Sequence, residues 1–298
     1  EHVICAVAVY YVFSSLRKYG IKDTLFAYIL KKSQQLPGTR GIIKGEQKKA
    51  ISKVVEMVKK TKENDENRFL TIPASGVDSD KIKGYLEEEI ANQKSFKSGK
   101  AMAGIYGAKI PIATEAYCMF ERTNATYPLV FPGVRKFEND IIRMTINMLG
   151  GDDDCVGVCT TGGTESILMT VKAYRDYAKE VKGITKPNMV GPVTIHPAFK
   201  KACEYLCVEF ITTPLTADVT VDIPAYKSRI NKNTIMCAAS APCWPHGHID
   251  DIPTLAGISK AAGVPFHVDS CLGGFLIPWL SKMGVITKKY NLKVPGVT

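Results

Sequence analysis

Residues 160–166 read Thr-Thr-Gly-Gly-Thr-Glu-Ser and stand between a strand-like run and a helix-like run. Glycines let backbone amides come close to a ligand, and the free amides at a helix N-terminus favour phosphate. The hydroxyls of Thr161, Thr164 and Ser166 are further potential donors. The spacing matches neither the Walker loop nor the dinucleotide-binding GxGxxG pattern. This motif therefore predicts either a phosphate site of another class or a tight turn with a hydroxyl cap.

A carboxylate, Asp269, ends the strand-like run Pro265–Val268 and precedes the glycine turn Gly273-Gly274. Such a residue can ligate a metal, cap a turn or pair with a cationic ring nitrogen. In a pyridoxal enzyme, an aspartate keeps the pyridine nitrogen protonated, which makes the ring an electron sink. The carboxylate run Asp152–Asp154 reads as a loop, and the scattered cysteines show no zinc spacing. No metal site is therefore predicted.

Histidines follow two other strand-like runs. His196 lies within Thr194–Phe199 at a strand-to-helix junction, where it either starts the helix or stacks on a planar cofactor. His246 and His248 lie in the loop Ser240–Asp250. Because these two alternate along the chain, only one of them is expected to face a site, and both could simply be exposed.

From Cys155 onward, strand-like and helix-like runs alternate. Such alternation predicts an α/β domain with a mainly parallel sheet, in which ligands gather at the carboxyl ends of strands. The strand-like runs are Cys155–Thr160, Met189–Ile195, Val208–Thr212, Thr234–Ala239 and Pro265–Val268. The helix-like runs are Glu165–Val181, Ala198–Leu206, Ile223–Asn231 and Ile252–Ala262, preceded by predicted helices over Asp80–Gln93, with Ser79 as its cap, and Val134–Leu149.

The N-terminal part has a different character. The net charge is +10, and nearly all of this excess lies in residues 1–62. Since no basic stripe is interleaved with aromatics, nucleic-acid binding is not predicted. The apolar run Val3–Phe13 is too short to span a bilayer and is followed by basic residues, as on the cytoplasmic side of a membrane helix. The sequence predicts the end of a truncated membrane anchor over 1–16, a basic helical juxtamembrane segment and linker over 17–68, and the α/β domain over 69–298.

Beyond these features, the chain resembles the sphingosine-1-phosphate lyases, which are fold-type I pyridoxal-phosphate enzymes related to the group II decarboxylases. The resemblance is carried by Thr161–Met169, Lys172–Asp176 and His267–Leu276, and by Phe131–Lys136, Pro245–Gly247 and Lys100–Tyr106. It implies a transferase-like large domain with a mainly parallel sheet, preceded by a helical N-terminal segment. Residues 69–298 would then be an incomplete pyridoxal-phosphate-binding domain.

The resemblance also implies roles for particular residues. Gly163 and Thr164 would bind the cofactor phosphate, His196 would stack on its ring, and Asp269 would pair with the pyridine nitrogen. Asn124 would lie near the substrate or cofactor.

The chain departs from the family pattern at two places. Tyr127, expected to contact the substrate, stands where the family usually has a histidine. The family's Schiff-base lysine follows the segment that matches Pro295–Thr298, so no catalytic residue is expected within the chain, which as given would be inactive. Lys289, in Thr287–Tyr290, superficially resembles that lysine motif but is predicted to be a solvated loop residue.

The implied activity is retro-aldol cleavage of a phosphorylated long-chain base to a fatty aldehyde and phosphoethanolamine. The family implies a homodimer in the endoplasmic-reticulum membrane, held by its N-terminal anchor, with the catalytic domain facing the cytosol. Three alternatives remain open at this point. The chain could be an amino-acid decarboxylase of the same fold, a truncated non-catalytic paralogue or partner subunit, or a basic membrane-surface protein.

Overall fold

The computed structural model describes residues 45–46, 48–56, 71–92, 110–244, 246–286 and 288–298. By its contacts the chain divides into two units, Glu1–Lys109 and Ile110–Thr298. The predicted anchor over 1–16 and most of the basic segment over 17–68 lie outside the described residues. Among the residues that are described, no helix is both long and apolar enough to cross a membrane.

In the first unit, residues 48–56 are helical and helix α1 covers Ser79–Asn92. The helix predicted from Asp80 is confirmed, but its cap is Asp78 and not Ser79. The Asp78 carboxylate accepts the backbone N–H of Asp80 at 2.9 Å and that of Lys81 at 3.3 Å. Asp78 lies one residue before Ser79, and its carboxylate reaches the free amides of the first turn, as an N-cap side chain must.

The second unit begins with two helices, α2 over Pro111–Met119 and α3 over Pro132–Met148. Both start with proline, whose missing N–H would be unpaired in the first turn of a helix anyway. Helix α3 confirms the prediction over Val134–Leu149, with its start two residues earlier. Only Ile146 of α3 is buried.

The rest of this unit alternates helices and strands, as predicted. The elements are α4 Gly163–Lys182, β1 Asn188–Pro192, α5 Pro197–Leu206, β2 Glu209–Thr213, α6 Ile223–Arg229, β3 Thr234–Ser240, α7 Ile252–Ala261, β4 Phe266–Asp269 and α8 Ile277–Lys282. The strands form one sheet in the order β2-β1-β3-β4, and every pair is parallel. The predicted α/β architecture is therefore confirmed.

The sheet is covered on both faces. Residues of α4 and α5, among them Val171 and Phe199, pack with Met236 on one face. Tyr226 of α6 and Leu255 of α7 pack on the other face. All residues of β1 and β3 are buried, as expected for central strands of a parallel sheet covered by helices.

The strand predicted over Cys155–Thr160 is wrong for the chain as described. These residues form no strand, and Val156 and Val158 are 91% and 69% exposed. A strand exists only through hydrogen bonds to a neighbour. No described segment pairs with residues 155–160, so their apolar alternation alone does not make them part of the sheet.

Candidate functional site

Hydrogen bonds join the carboxyl ends of β3 and β4 beside Asp269. Ser240 and Asp269 are partners in the register of the two strands. Beyond them, the Ala241 N–H donates to the Asp269 carbonyl at 2.8 Å, and the Ser270 hydroxyl donates to the Ala241 carbonyl at 2.7 Å. These bonds fix the backbone that carries the Asp269 side chain.

The Asp269 carboxylate is half-buried and only partly engaged. One oxygen, Oδ1, accepts the Cys271 N–H at 3.1 Å, and no described residue donates to the other oxygen. His267, on the same face of β4, packs against Phe199 with ring centroids 5.8 Å apart. Burial holds the pKa of His267 below its usual range, against the opposing effect of the Asp269 charge. His267 is therefore mainly neutral near pH 7 and does not act as a cationic partner of Asp269.

In the loop before α4, some polar groups hydrogen-bond to each other and others have no described acceptor. The Glu165 carboxylate accepts both the backbone N–H and the hydroxyl of Thr161, at 2.7 and 2.6 Å. The hydroxyls of Thr160 and Ser166 share a bond of 2.6 Å. The Thr161 and Ser166 hydroxyls, expected from the sequence to be available donors, are thus already engaged. Within the described residues, the Thr164 hydroxyl has no partner.

The backbone amides of Gly163 and Thr164 are also free of acceptors among the described residues. They open a helix of 20 residues, whose aligned peptide dipoles place partial positive charge at this end. Two amides and one hydroxyl at adjacent positions, together with this dipole, are suited to a phosphate group. We refer to the residues 160–166 as the cradle loop.

The cradle loop and the turn after Asp269 are in contact. A Cβ atom placed on Gly163 would lie 3.1 Å from the Cys271 sulfur, closer than ordinary van der Waals contact. A side chain at this position would require the Cys271 thiol to shift by a few tenths of an ångström. The structure therefore brings the predicted phosphate-binding residues and the predicted ring-nitrogen partner into one site.

His196 begins helix α5 at the carboxyl end of β1. Its Nδ1 accepts the backbone N–H of Ala198 at 3.1 Å, and its ring is exposed. The helix-capping role foreseen for this residue is confirmed. Stacking on a cofactor stays a prediction, and the cap supports it because it fixes one ring edge and leaves a ring face open.

Asn124 and Tyr127 lie in the turn between α2 and α3. The Asn124 side-chain oxygen accepts both the N–H and the hydroxyl of Thr126, at 3.0 and 2.6 Å. Tyr127 is 59% exposed. Neither side chain hydrogen-bonds to the cradle loop or to Asp269 within the described chain, so their roles near substrate stay predictions.

Comparison with known proteins shows what the chain is similar to. No protein-family model matches the chain. Sphingosine-1-phosphate lyase of Dictyostelium discoideum is 38% identical over 294 residues, which cover 96% of this chain and 54% of the relative. Along almost its whole length, the chain is similar to this sphingosine-1-phosphate lyase. It spans about half the length of the curated relatives that it matches.

Solved structures show the fold. A sphingosine-1-phosphate lyase of Burkholderia pseudomallei has a TM-score of 0.69 and 29% identity over 78% of this chain and 56% of that one. Glutamate decarboxylase of Lactobacillus brevis has a TM-score of 0.67 over 77% of this chain and 55% of that one, at 18% identity. The chain therefore has the fold of the group II decarboxylases, as the sequence resemblance implied.

Asp250 was missed by sequence reasoning, although it lies at this edge of the sheet. It is 3% exposed, and its Oδ2 accepts the Ser240 N–H at 2.8 Å. Burial raises its pKa to about 6, against the effects of that hydrogen bond and of Lys288. A carboxylate in a polar loop is ordinarily exposed, so the sequence offered no reason to expect a buried one. The only signal was its position two residues after His248.

Lys288 and Lys289 lie in the segment after α8. Lys288 donates to the Ile249 carbonyl at 2.8 Å and thereby ties the segment after α8 to the loop that follows β3. Lys289 is exposed and lies outside any helix or strand, as expected for a loop residue. Among the residues described, no three His, Cys, Asp or Glu side chains cluster in a way that could hold a metal ion.

Proposed function

We propose that the protein carrying this chain is a pyridoxal-phosphate-dependent aldehyde-lyase. Its substrate would be a phosphorylated long-chain base, sphingosine 1-phosphate, and its products a fatty aldehyde and phosphoethanolamine. The observation that carries the proposal is the contact between Gly163 and Cys271. That contact brings the cradle loop beside the turn that follows Asp269, in a chain that is 38% identical to a sphingosine-1-phosphate lyase.

The residues present fit pyridoxal phosphate. The free amides of Gly163 and Thr164 and the Thr164 hydroxyl would hold its phosphate at the N-terminus of α4. Asp269 has an oxygen without a described donor and forms no ion pair within the described residues, so it would hold a proton on the pyridine nitrogen. The exposed ring of His196 would cover a face of the cofactor. When bound, pyridoxal phosphate supplies the electron sink for cleavage of a carbon–carbon bond.

The bond to be cleaved joins the amine-bearing carbon to the neighbouring hydroxyl-bearing carbon. Cleavage requires a base that removes the hydroxyl proton, and this base is not assigned to a residue of the chain. Asn124 and Tyr127 are proposed to contact the substrate, with Tyr127 taking the place of the histidine that the family usually has.

We also infer that the protein acts as a homodimer attached to the endoplasmic-reticulum membrane, with the catalytic domain in the cytosol. The concentration of positive charge in residues 1–62 supports this, because basic residues beside a membrane anchor favour the cytoplasmic face and anionic lipid.

The test uses Asp269→Asn, which keeps the shape of the side chain and removes its charge. An asparagine cannot hold the ring nitrogen protonated, so aldehyde release from sphingosine 1-phosphate should fall by roughly a hundredfold or more. The exposed Asp154→Asn is the matched control and should leave the rate unchanged.

Substrate preference distinguishes the decarboxylase alternative from the proposed lyase. Glutamate and aromatic amino acids are offered beside sphingosine 1-phosphate, and carbon dioxide and aldehyde are both measured. Release of carbon dioxide without aldehyde would reject the lyase and support the decarboxylase. An unchanged rate in Asp269→Asn would reject the role of Asp269.

A further inference from the structure

Glu165, in the first turn of α4, has a hydrogen-bonding arrangement that the proposed function does not by itself explain. A single carboxylate oxygen, Oε2, accepts the Thr161 backbone N–H at 2.7 Å and the Thr161 hydroxyl at 2.6 Å. The bond from the Thr161 hydroxyl, and to a lesser extent the bond from its backbone N–H, holds the pKa of Glu165 below its usual range. The side chain is therefore negatively charged near neutral pH.

A carboxylate at this position is unfavourable for phosphate binding on charge alone. Glu165 is two residues from Gly163, and like charges repel. A negative side chain in a first turn does stabilise the helix, but it then competes with a bound anion for the same dipole. A structural benefit must offset this repulsion if the cradle loop is to bind a phosphate.

The benefit is visible in the bonds across the cradle loop. Glu165 joins the helix to Thr161, and the Ser166 hydroxyl joins the helix to Thr160 at 2.6 Å. The Ser166 N–H also donates to the Gly162 carbonyl at 3.1 Å. Two side-chain links thus close the loop on either side of its glycines.

Those glycines need such restraint. Gly162 and Gly163 have the greatest backbone freedom in the loop, and freedom lost on binding weakens affinity. Glu165 accepts from Thr161 and, within the described residues, from no helix amide. The amides of Gly163 and Thr164 consequently stay free, in a loop whose ends are already fixed.

We propose that Glu165 is a positioning residue for the phosphate of the cofactor: it holds Thr161 so that the amides of Gly163 and Thr164 stay free and fixed. The Thr161 hydroxyl is accordingly a structural donor to Glu165 and not a phosphate ligand. This proposal rests on the proposed function, since it concerns the same phosphate.

The first test compares pyridoxal phosphate with pyridoxal, which lacks the phosphate, by absorbance titration of the cofactor-free protein. Glu165→Ala should weaken binding of pyridoxal phosphate by about tenfold, the size of one or two lost hydrogen bonds, and leave that of pyridoxal unchanged. Glu165→Gln, whose amide oxygen can accept the same bonds, should bind within about threefold of the unmutated protein. Thr161→Val should weaken binding in the same direction, but less.

The matched control is Glu180→Ala. Glu180 is exposed on the same helix, so its loss changes the net charge equally without touching the cradle loop. If Glu165→Ala binds pyridoxal phosphate as tightly as Glu180→Ala does, or more tightly than the unmutated protein, the proposal is overturned. Tighter binding would mean that charge repulsion dominates or that the freed Thr161 hydroxyl becomes a ligand. Equal weakening for pyridoxal and its phosphate would also overturn it.

A second measurement does not depend on the cofactor. Hydrogen exchange of the peptide that spans 160–166 should be faster in Glu165→Ala than in Glu180→Ala, because the Thr161 amide loses its acceptor. Equal exchange would contradict the proposed restraint. If the unmutated protein binds pyridoxal phosphate no better than pyridoxal, the proposed function itself fails, which is distinct from failure of the Glu165 variants to differ.

Discussion

Two regions of the unit Ile110–Thr298 both contain periodic apolar residues, but these residues are buried in one region and exposed in the other. Between Asn188 and Asp269, apolar runs form strands whose central members are buried at every residue. Between Pro111 and Thr160, equally periodic apolar residues form helices or extended chain and remain exposed, among them Ile141, Met144 and Val156.

The difference lies in what covers each region. Strands β1 and β3 have a strand on either side and helices on both faces. Helix α3 and residues 155–160 keep several apolar side chains at least half exposed, among them Ile141, Met144 and Val156. Periodicity therefore predicts which face an element would bury, whereas burial itself depends on neighbours elsewhere in the chain or assembly.

The strongest test of this comparison uses two methionines. Met236 is fully buried in β3, and Met144 on α3 is 62% exposed. Met236→Ala should lower the free energy of unfolding by about 2–5 kcal/mol because it leaves a cavity, while Met144→Ala should change it by less than about 0.5 kcal/mol. Denaturant unfolding of both variants measures this. Equal losses would break the comparison and show that α3 is covered in the assembled protein.

A smaller effect is expected from the buried charge at Asp250. Its folded pKa of about 6 lies above the ordinary aspartate value, so the folded state binds the proton more tightly. Stability from this group is full below pH 4 and is lost as the pH rises through 6. Asp250→Asn keeps an acceptor for Ser240 and removes that loss. It should be more stable than the unmutated protein at pH 7.5 by roughly 1–3 kcal/mol.

Thermal unfolding between pH 4.5 and 7.5 checks the Asp250 prediction. The unmutated protein should lose stability across this range relative to Asp250→Asn, and the exposed Asp154→Asn should follow the unmutated protein. A variant Asp250→Asn that is less stable at pH 7.5 would show that the charge is stabilising, with Lys288 as its nearby partner.

The smallest effect is expected at the exposed extended segment. Val156→Thr should change the free energy of unfolding by less than about 0.5 kcal/mol, because the side chain is 91% exposed. Val190→Thr, at a fully buried site in β1, should cost about 1–3 kcal/mol because its hydroxyl is desolvated there. Chemical denaturation separates the two. A loss at Val156 as large as that at Val190 would show that a further strand covers residues 155–160.

Much of the architecture was predictable because it depends on local pattern. Apolar runs bounded by turn residues located β1 to β4 to within a few residues, and proline marked the starts of α3 and α5. The alternation of strands and helices predicted a parallel sheet, and the position of polar motifs after strands predicted the edge at which Asp269 and the cradle loop meet.

The sequence by itself thus determined the α/β class and the residue types gathered at the strand ends, since these follow from spacing along the chain. Tertiary structure alone decided which donors are free. It engaged Thr161 with Glu165, brought Cys271 against Gly163, buried Asp250 and left residues 155–160 without a described partner. Each of these depends on contacts between segments or on side-chain geometry, and spacing in sequence does not specify the distances at which hydrogen bonds, burial and charge act.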